Sequence, residues 1–146
     1  LDAVGAKLRS EGMRLSYHNH AVEFETFEGD PRFKLDILYE ETGKENLYAE
    51  LDLCWVAAGG QSPAEYLRKY AGRCPVIHVK DMEAERSEND RPIFTPLGKG
   101  VLDWDAIFPA AKEAGVEWYV YEQDSYEGDL WECVKTSREF LRNFVG

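Results

Sequence analysis

The sequence predicts an α/β fold built on a parallel sheet. Three observations carry this expectation. A helix, a glycine and a run rich in β-branched and aromatic residues recur four times, at "SEGMRLSYHNH", "EETGKENLYAELDLCWV", "KYAGRCPVIHVKD" and "KEAGVEWYVYEQD". These units repeat at roughly 30 to 40 residues, which leaves room for a helix between strands, so the strands should pair in parallel through right-handed crossovers. Each run also alternates side-chain character with a period of two, as a strand does.

Taken in order, "LDAVGAKLRSEG" reads as a helix in progress, with Leu1, Val4 and Leu8 on one face and Gly12 past its end. No methionine opens the chain, so a preceding segment is expected. Gly12, Gly43, Gly72 and Gly115 can each end a helix in the left-handed conformation. After the second strand, Ser62, Pro63 and Glu65 form a capping box that starts a helix over "YLRKYAG". After the third, a helix can start at Asp103 and run through "WDAIFPAAKEAG", with Pro109 expected to kink it or move its start later. The last helix, near Leu130 to Phe144, should turn Leu130, Val134, Phe140, Leu141 and Phe144 toward a core. Segments 27 to 32 and 83 to 100 read as irregular, and "KDMEAERSENDR" as a solvated loop. With no linker or low-complexity tract, residues 1–146 are expected to form one domain.

Composition excludes several function classes. The net charge of −11 argues against nucleic-acid binding, which depends on clustered Lys and Arg. No apolar run approaches the roughly 18 residues of a membrane span, and no secretory signal opens the chain. Cys54, Cys74 and Cys133 are widely spaced, without a CxxC pair, so a reducing, cytoplasmic setting is expected.

Strand parity then decides which side chains share a face. Ser16, His18 and His20 oppose Leu15, Tyr17 and Asn19; Glu50, Asp52 and Cys54 oppose Leu51, Leu53 and Trp55; Val76, His78 and Lys80 oppose Ile77, Val79 and Asp81; Val120, Glu122 and Asp124 oppose Tyr119, Tyr121 and Gln123. One face of each strand thus turns polar and ionisable toward its C-terminal end, where parallel α/β folds bind ligands. If the strands are neighbours, His18, Asp52, His78 and Glu122 converge at one rim. Two imidazoles and two carboxylates suit Mn²⁺, Co²⁺, Zn²⁺, Fe²⁺ or Mg²⁺. A cation, helped by Lys80, would offset the repulsion among the gathered carboxylates. Any one of these residues alone reads as a hydrogen-bonded strand end, but four at equivalent ends read as a site. Trp55, Trp104 and Trp118 could stack on a sugar ring, although aromatic residues at such positions more often pack in a core. The glycine pair in "PLGKGVLDW" lacks the GxGxxG phosphate fingerprint and need only turn the chain.

Five segments, "YHNHAVEFE", "AELDLCWVAAGGQSP", "VIHVKDM", "FTPLGKGVLDW" and "AGVEWYVYEQD", together resemble the sugar phosphate isomerase/epimerase family, the xylose-isomerase-like TIM barrels. The resemblance spans nearly the whole chain. It implies a (β/α)8 TIM-barrel type fold, of which full members have eight βα units in roughly 250 residues. This chain would be the C-terminal half, from the end of helix 4 through strands 5 to 8. It further implies a divalent metal ion held from the ends of those strands, usually by Glu, Asp, His and Glu. Asp52, His78 and Glu122 match the second, third and fourth ligands, while the first position falls on His18. That departure matters, because two glutamates in such epimerases also act as acid and base on opposite faces of the substrate.

The implied activity is a sugar or sugar phosphate isomerase/epimerase acting on a small carbohydrate through an enediolate. Glu122, or His18 or His20 when not metal-bound, would move the proton, and Lys80 would neutralise the enediolate or bind a substrate anion. Loss of a β-substituent from the same enediolate would make the enzyme a lyase or dehydratase, and a glycoside-cleaving enzyme on keto-sugars could use the same site. Other readings stand beside these. A hydrolase could use His18 and His20 as an HxH pair, and a DNA endonuclease shares the fold class but not the acidic surface. An inactive half-barrel, with two bare strand edges, could require a partner half or a homo-oligomer.

Overall fold

The computed structural model describes residues 1–145. Its elements are α1 (Asp2–Ser10), β1 (Ser16–His18), a 3₁₀ turn (Val22–Phe24), α2 (Lys34–Glu40), β2 (Tyr48–Asp52), α3 (Leu53–Ala58), α4 (Pro63–Lys69), β3 (Val76–Val79), β4 (Asp81–Arg86), β5 (Pro92–Thr95), α5 (Trp104–Ala114), β6 (Trp118–Tyr121) and α6 (Leu130–Val145). Strands β1, β2, β3 and β6 form one sheet in that order, and every neighbouring pair is parallel. The expected α/β architecture with four helix-to-strand units is therefore present. Among the described residues, no helix is long and apolar enough to cross a membrane.

The apolar parity face packs under the helices. Ala49, Leu51, Ile77 and Val79 are fully buried there with Leu47, Leu53, Leu67 and Ile107. Arg73 ties strand entry to helix exit: its guanidinium donates to the carbonyls of Leu47, Tyr39 and Thr42 and lies over the Tyr39 ring. The Tyr39 and Thr42 carbonyls, at the end of α2, would otherwise lack partners there. Gly12, Gly72 and Gly115 are left-handed as expected, but Gly43 is not. Its turn is held instead by Asp2, whose Oδ1 accepts from Gly43 N at 2.8 Å and Asn46 Nδ2 at 3.0 Å.

Four further expectations are corrected. The second strand stops at Asp52, because its Oδ1 accepts from Trp55 N at 3.1 Å and caps α3, so Cys54 and Trp55 are helical. Pro109 neither shifts nor shortens α5, whose start is set by Asp103 Oδ1 accepting from Ala106 N at 3.1 Å. Segment 83 to 100 is not irregular throughout: β4 and β5 form an antiparallel hairpin that buries the Met82–Phe94 pair. In α6 the buried stripe runs through Cys133 and Ser137 to Phe140, while Leu130 and Phe144 stay exposed. Ser137 lies inside because its Oγ accepts from Leu97 N at 3.1 Å, a backbone donor with no ladder partner. Similarly, α1 leaves Leu1 and Val4 exposed and seats Gly5 against the backbone of Asn46, where a Cβ would come within 1.8 Å of the Asn46 oxygen.

The segment after β5 is organised by Asp81, the one carboxylate on the otherwise apolar face of the third strand. Fully buried, it accepts from Met82 N at 2.9 Å, Gly98 N at 3.0 Å, Gly100 N at 3.2 Å, Leu102 N at 3.3 Å and Trp104 Nε1 at 2.9 Å. A carboxylate can satisfy five donors only because both oxygens are acceptors. Replacing one oxygen with an amide would face donors with a donor. We therefore expect Asp81→Asn to lose about 3 kcal/mol of stability, read as a lower urea midpoint at unchanged slope.

Candidate active site at the strand ends

Each βα unit delivers one ionisable side chain to the same rim. His18 is the last residue of β1, and Asp52 is the last of β2 and caps α3. His78 stands in register beside Asp52 on β3, and Glu122 follows β6. Asn19, which faces away from the rim, is fully buried and fixes the Asp52 backbone: its Oδ1 accepts from Asp52 N at 3.1 Å. This clamp joins the ends of β1 and β2 where their ladder has finished.

The four predicted ligands come together. One ligand atom from each of His18, Asp52, His78 and Glu122 lies within 4.8 Å of the others, a set able to hold a metal ion. His18 Nε2 is 3.3 Å from Asp52 Oδ2, His78 Nδ1 is 2.9 Å from Glu122 Oε2, and the two imidazoles lie 4.5 Å apart. Lys80, whose side chain is 1% exposed, lies among the carboxylates: Nζ is 3.0 Å from Asp52 Oδ2, 2.8 Å from Glu122 Oε2 and 2.9 Å from Asp124 Oδ1. His20 stands beside the four but outside them. Exposed at the rim, its ring meets those of His18 and Trp55 at 4.9 and 5.1 Å and makes no hydrogen bond among the described residues, while its backbone N–H donates to Glu23.

Two site residues escaped assignment in the sequence. Glu50 Oε1 lies 3.0 Å from His78 Nε2 and is itself held by the Ser16 hydroxyl; Asp124 is the third partner of Lys80. Both share the parity face of the predicted ligands, which was the signal available.

The electrostatics follow from these contacts. Burial alone would raise Glu122, but hydrogen bonds from Lys80 and His78 outweigh it and hold the carboxyl down at about 2. Burial alone would lower Lys80, yet its three carboxylates prevail and push it above its ordinary value. His18 is raised, chiefly by its hydrogen bond to Asp52. His78 carries a further constraint. A neutral imidazole has a single N–H, and Glu50 is placed to receive it at Nε2. Glu122 stands at Nδ1, 2.9 Å away, with Asp52 at 3.9 Å, so a neutral ring can donate on only one side and turns a lone pair on a carboxylate at the other. Acceptors facing acceptors are relieved by a shared cation, so the donor set fits a divalent metal ion.

A parallel sheet whose strand ends gather imidazoles and carboxylates defines an α/β protein with its ligand site beyond the carboxyl ends of the strands. The chain belongs to the xylose isomerase-like TIM barrel family, whose sequence model matches residues 1–144. Among curated relatives, it is 27% identical to the inosose dehydratase of Geobacillus thermodenitrificans over 162 aligned positions, covering 100% of this chain and 53% of that protein. It is 26% identical to the inosose dehydratase of Clostridium perfringens over 158 positions, covering 97% and 52%. A sugar phosphate isomerase/epimerase from Parabacteroides distasonis superposes with a TM-score of 0.80 at 24% identity, covering 97% of this chain and 50% of that one. The structure of an L-ribulose 3-epimerase gives 0.68 at 20% identity, covering 97% and 50%. The chain spans about half the length of the curated relatives it matches.

Lys80 is the contact most exposed to test. With its ammonium removed in Lys80→Met, Asp52 keeps a buried charge facing two other carboxylates. The expected loss is about 3 kcal/mol in metal-free protein, with Mn²⁺ restoring a large part of it, measured by urea denaturation with and without the ion.

Proposed function

We propose that this chain carries the metal-binding half of a carbohydrate enzyme that removes a proton next to a carbonyl, with His18, Asp52, His78 and Glu122 as ligands to one divalent ion. The observation that carries the reading is the convergence of those four ligand atoms within 4.8 Å, with a carboxylate at each ring nitrogen of His78. Residues 1–146 would then be one unit corresponding to strands 5 to 8 of the barrel. Its three cysteines, buried and unpaired, accord with a cytoplasmic enzyme.

When bound, the ion would act as a Lewis acid on the carbonyl and neighbouring hydroxyl of a small carbohydrate. The chain's own residues divide the remaining work. Asp52 is fully buried and caps α3, so it only holds. Glu122, kept near 2 by its partners, is a poor proton acceptor at neutral pH and serves better as a ligand. Glu50 fixes the tautomer of His78, as carboxylates behind metal-bound imidazoles do. Lys80 is too enclosed to meet a substrate anion and acts by holding Asp52, Glu122 and Asp124. That leaves His20, at the rim with its ring free, as the group that takes the α-proton; imidazoles are suited to proton transfer near neutral pH.

One such base, on one face, serves dehydration or a single-base isomerisation, whereas epimerisation needs a second acid opposite. Dehydratase-type elimination is the outcome we favour, supported by this asymmetry and by curated relatives that are inosose dehydratases. Isomerisation, expected from the family resemblance, is the second reading.

Three outcomes test this in the metal-loaded protein. His20→Ala should lose at least about 100-fold in turnover at unchanged Mn²⁺ affinity, as kinetics and calorimetry would show together. Glu50→Gln should weaken Mn²⁺ binding by about 10-fold, and Asp52→Ala should weaken it further still, by calorimetric titration. With a keto-inositol substrate, the elimination reading requires a dehydrated product by mass spectrometry; a product of unchanged mass would favour the isomerase.

A further inference from the structure

Beside the metal cluster runs a cleft of about 1120 Å³ between α3, the β4–β5 hairpin and the loop leading into α6. Its volume lies at the top of the roughly 300–1,000 Å³ range of small-ligand sites. The cluster and the cleft meet at two residues: Asp124, which Lys80 holds at 2.9 Å, and Trp55, whose ring stands 5.1 Å from that of His20. A ligand seated at the ion and extending past His20 enters the cleft.

The lining states what would bind there. Trp55, Phe94 and Tyr126 provide aromatic surface. Tyr126, 38% exposed, lies across Gly128, where a Cβ would come within 2.7 Å of its ring. The glycine thus lets the ring settle on the loop. Arg86 and Arg91 face the same space and form no ion pair among the described residues. Arg86 is partly used, donating to the Ala58 carbonyl at 3.2 Å, whereas the Arg91 guanidinium makes no hydrogen bond. Four carboxylates, Glu83, Asp90, Asp124 and Glu127, line the cleft against these two guanidiniums, an excess of two negative charges. That balance disfavours a phosphate or a carboxylate ligand. Acceptors, donors and aromatic faces in one trough suit a neutral ring with hydroxyls on its edge and C–H bonds on its faces.

We propose that this cleft is a subsite for a second, uncharged sugar ring, so that the ligand is a disaccharide or other glycoside rather than a free or phosphorylated monosaccharide. The proposal rests on the carbohydrate reading above and adds the ligand's size and charge to it. One ring would occupy the cluster, and the other would lie between Tyr126 and the hairpin with Arg91 donating to its hydroxyls.

Calorimetric titration of the Mn²⁺-loaded protein with glucose, cellobiose and glucose 6-phosphate tests it. Cellobiose should bind about 10-fold more tightly than glucose, and Tyr126→Ala or Arg91→Ala should remove that advantage while leaving glucose within about 2-fold. Both side chains are on the surface, so the variants should fold. Equal affinity for glucose and cellobiose overturns the subsite, as does absence of binding by all three sugars. A preference for glucose 6-phosphate that disappears in Arg91→Ala overturns it in favour of an anion site. The metal reading fails separately: if Mn²⁺ produces no binding heat while cellobiose still outbinds glucose through Tyr126, the subsite stands and the metal assignment falls.

Discussion

The constraint on which the rest depends is a buried ammonium among acids. Lys80, from the end of β3, brings together three carboxylates from two other βα units, Asp52 after β2 and Glu122 and Asp124 after β6. An ammonium removed from water is costly unless its donors are met, and carboxylates crowded at one rim repel each other unless a cation lies between them. Each problem is the other's solution. The balance is incomplete, however, because Glu50, Asp52, Glu122 and Asp124 oppose one lysine, an excess of three negative charges with neutral imidazoles. A divalent ion reduces that excess to one. It would share Asp52 and Glu122 with Lys80, so fold stability and metal affinity are linked at the same oxygen atoms.

Asp52 makes that link mechanical. One of its oxygens starts α3 while the other faces Lys80 and His18, and its backbone N–H is held by Asn19. A displacement of the carboxylate would unseat a helix, and unwinding of the helix would release the carboxylate. Rigid support of this kind is what a metal site requires, since small errors in ligand placement weaken binding. The same economy recurs at Asp81, which sits one residue beyond Lys80 and pins the segment from Gly98 to Trp104. Two adjacent residues at the passage from β3 into β4 thus organise the site and the loops around it.

Much of this was legible in the sequence because strand parity is insensitive to where a strand stops. His18, Asp52, His78 and Glu122 share a rim whether the second strand ends at Asp52 or at Trp55. The end itself was misread because "ELDLCWV" alternates like a strand, and a single capping aspartate gives little warning that a helix begins. The hairpin over 81–95 was hidden for another reason. Its charged outer face reads as a solvated loop, and only the distant pairing of Met82 with Phe94 makes it a ribbon. Glu50 and Asp124 lay on the correct face, but which acids support others depends on side-chain reach that parity does not encode. Asp81 was visible as an anomaly, an acid on an apolar face, without any sign of the five donors awaiting it.

The asymmetry of the cluster bears on its chemistry more than the identity of the ion does. Of its two carboxylates, Asp52 is fully buried and Glu122 is held near 2 by donors on two sides. Glu122 is thus a poor proton acceptor at neutral pH, and Asp52 is committed to its helix cap and to Lys80. A histidine in the first ligand position removes the glutamate that a two-sided epimerase would use, and the second histidine of the same strand stands two residues on, outside the cluster and open to solvent. Under the proposed assignment, proton transfer falls to His20 on one face of the site. In the proposed reading His20 takes the α-proton, and among the described residues no second acid is assigned to return it with inverted configuration. In the proposed elimination, His20 hands that proton on to the hydroxyl of the adjacent carbon, which leaves as water, and this single-sided exchange supports elimination over epimerisation.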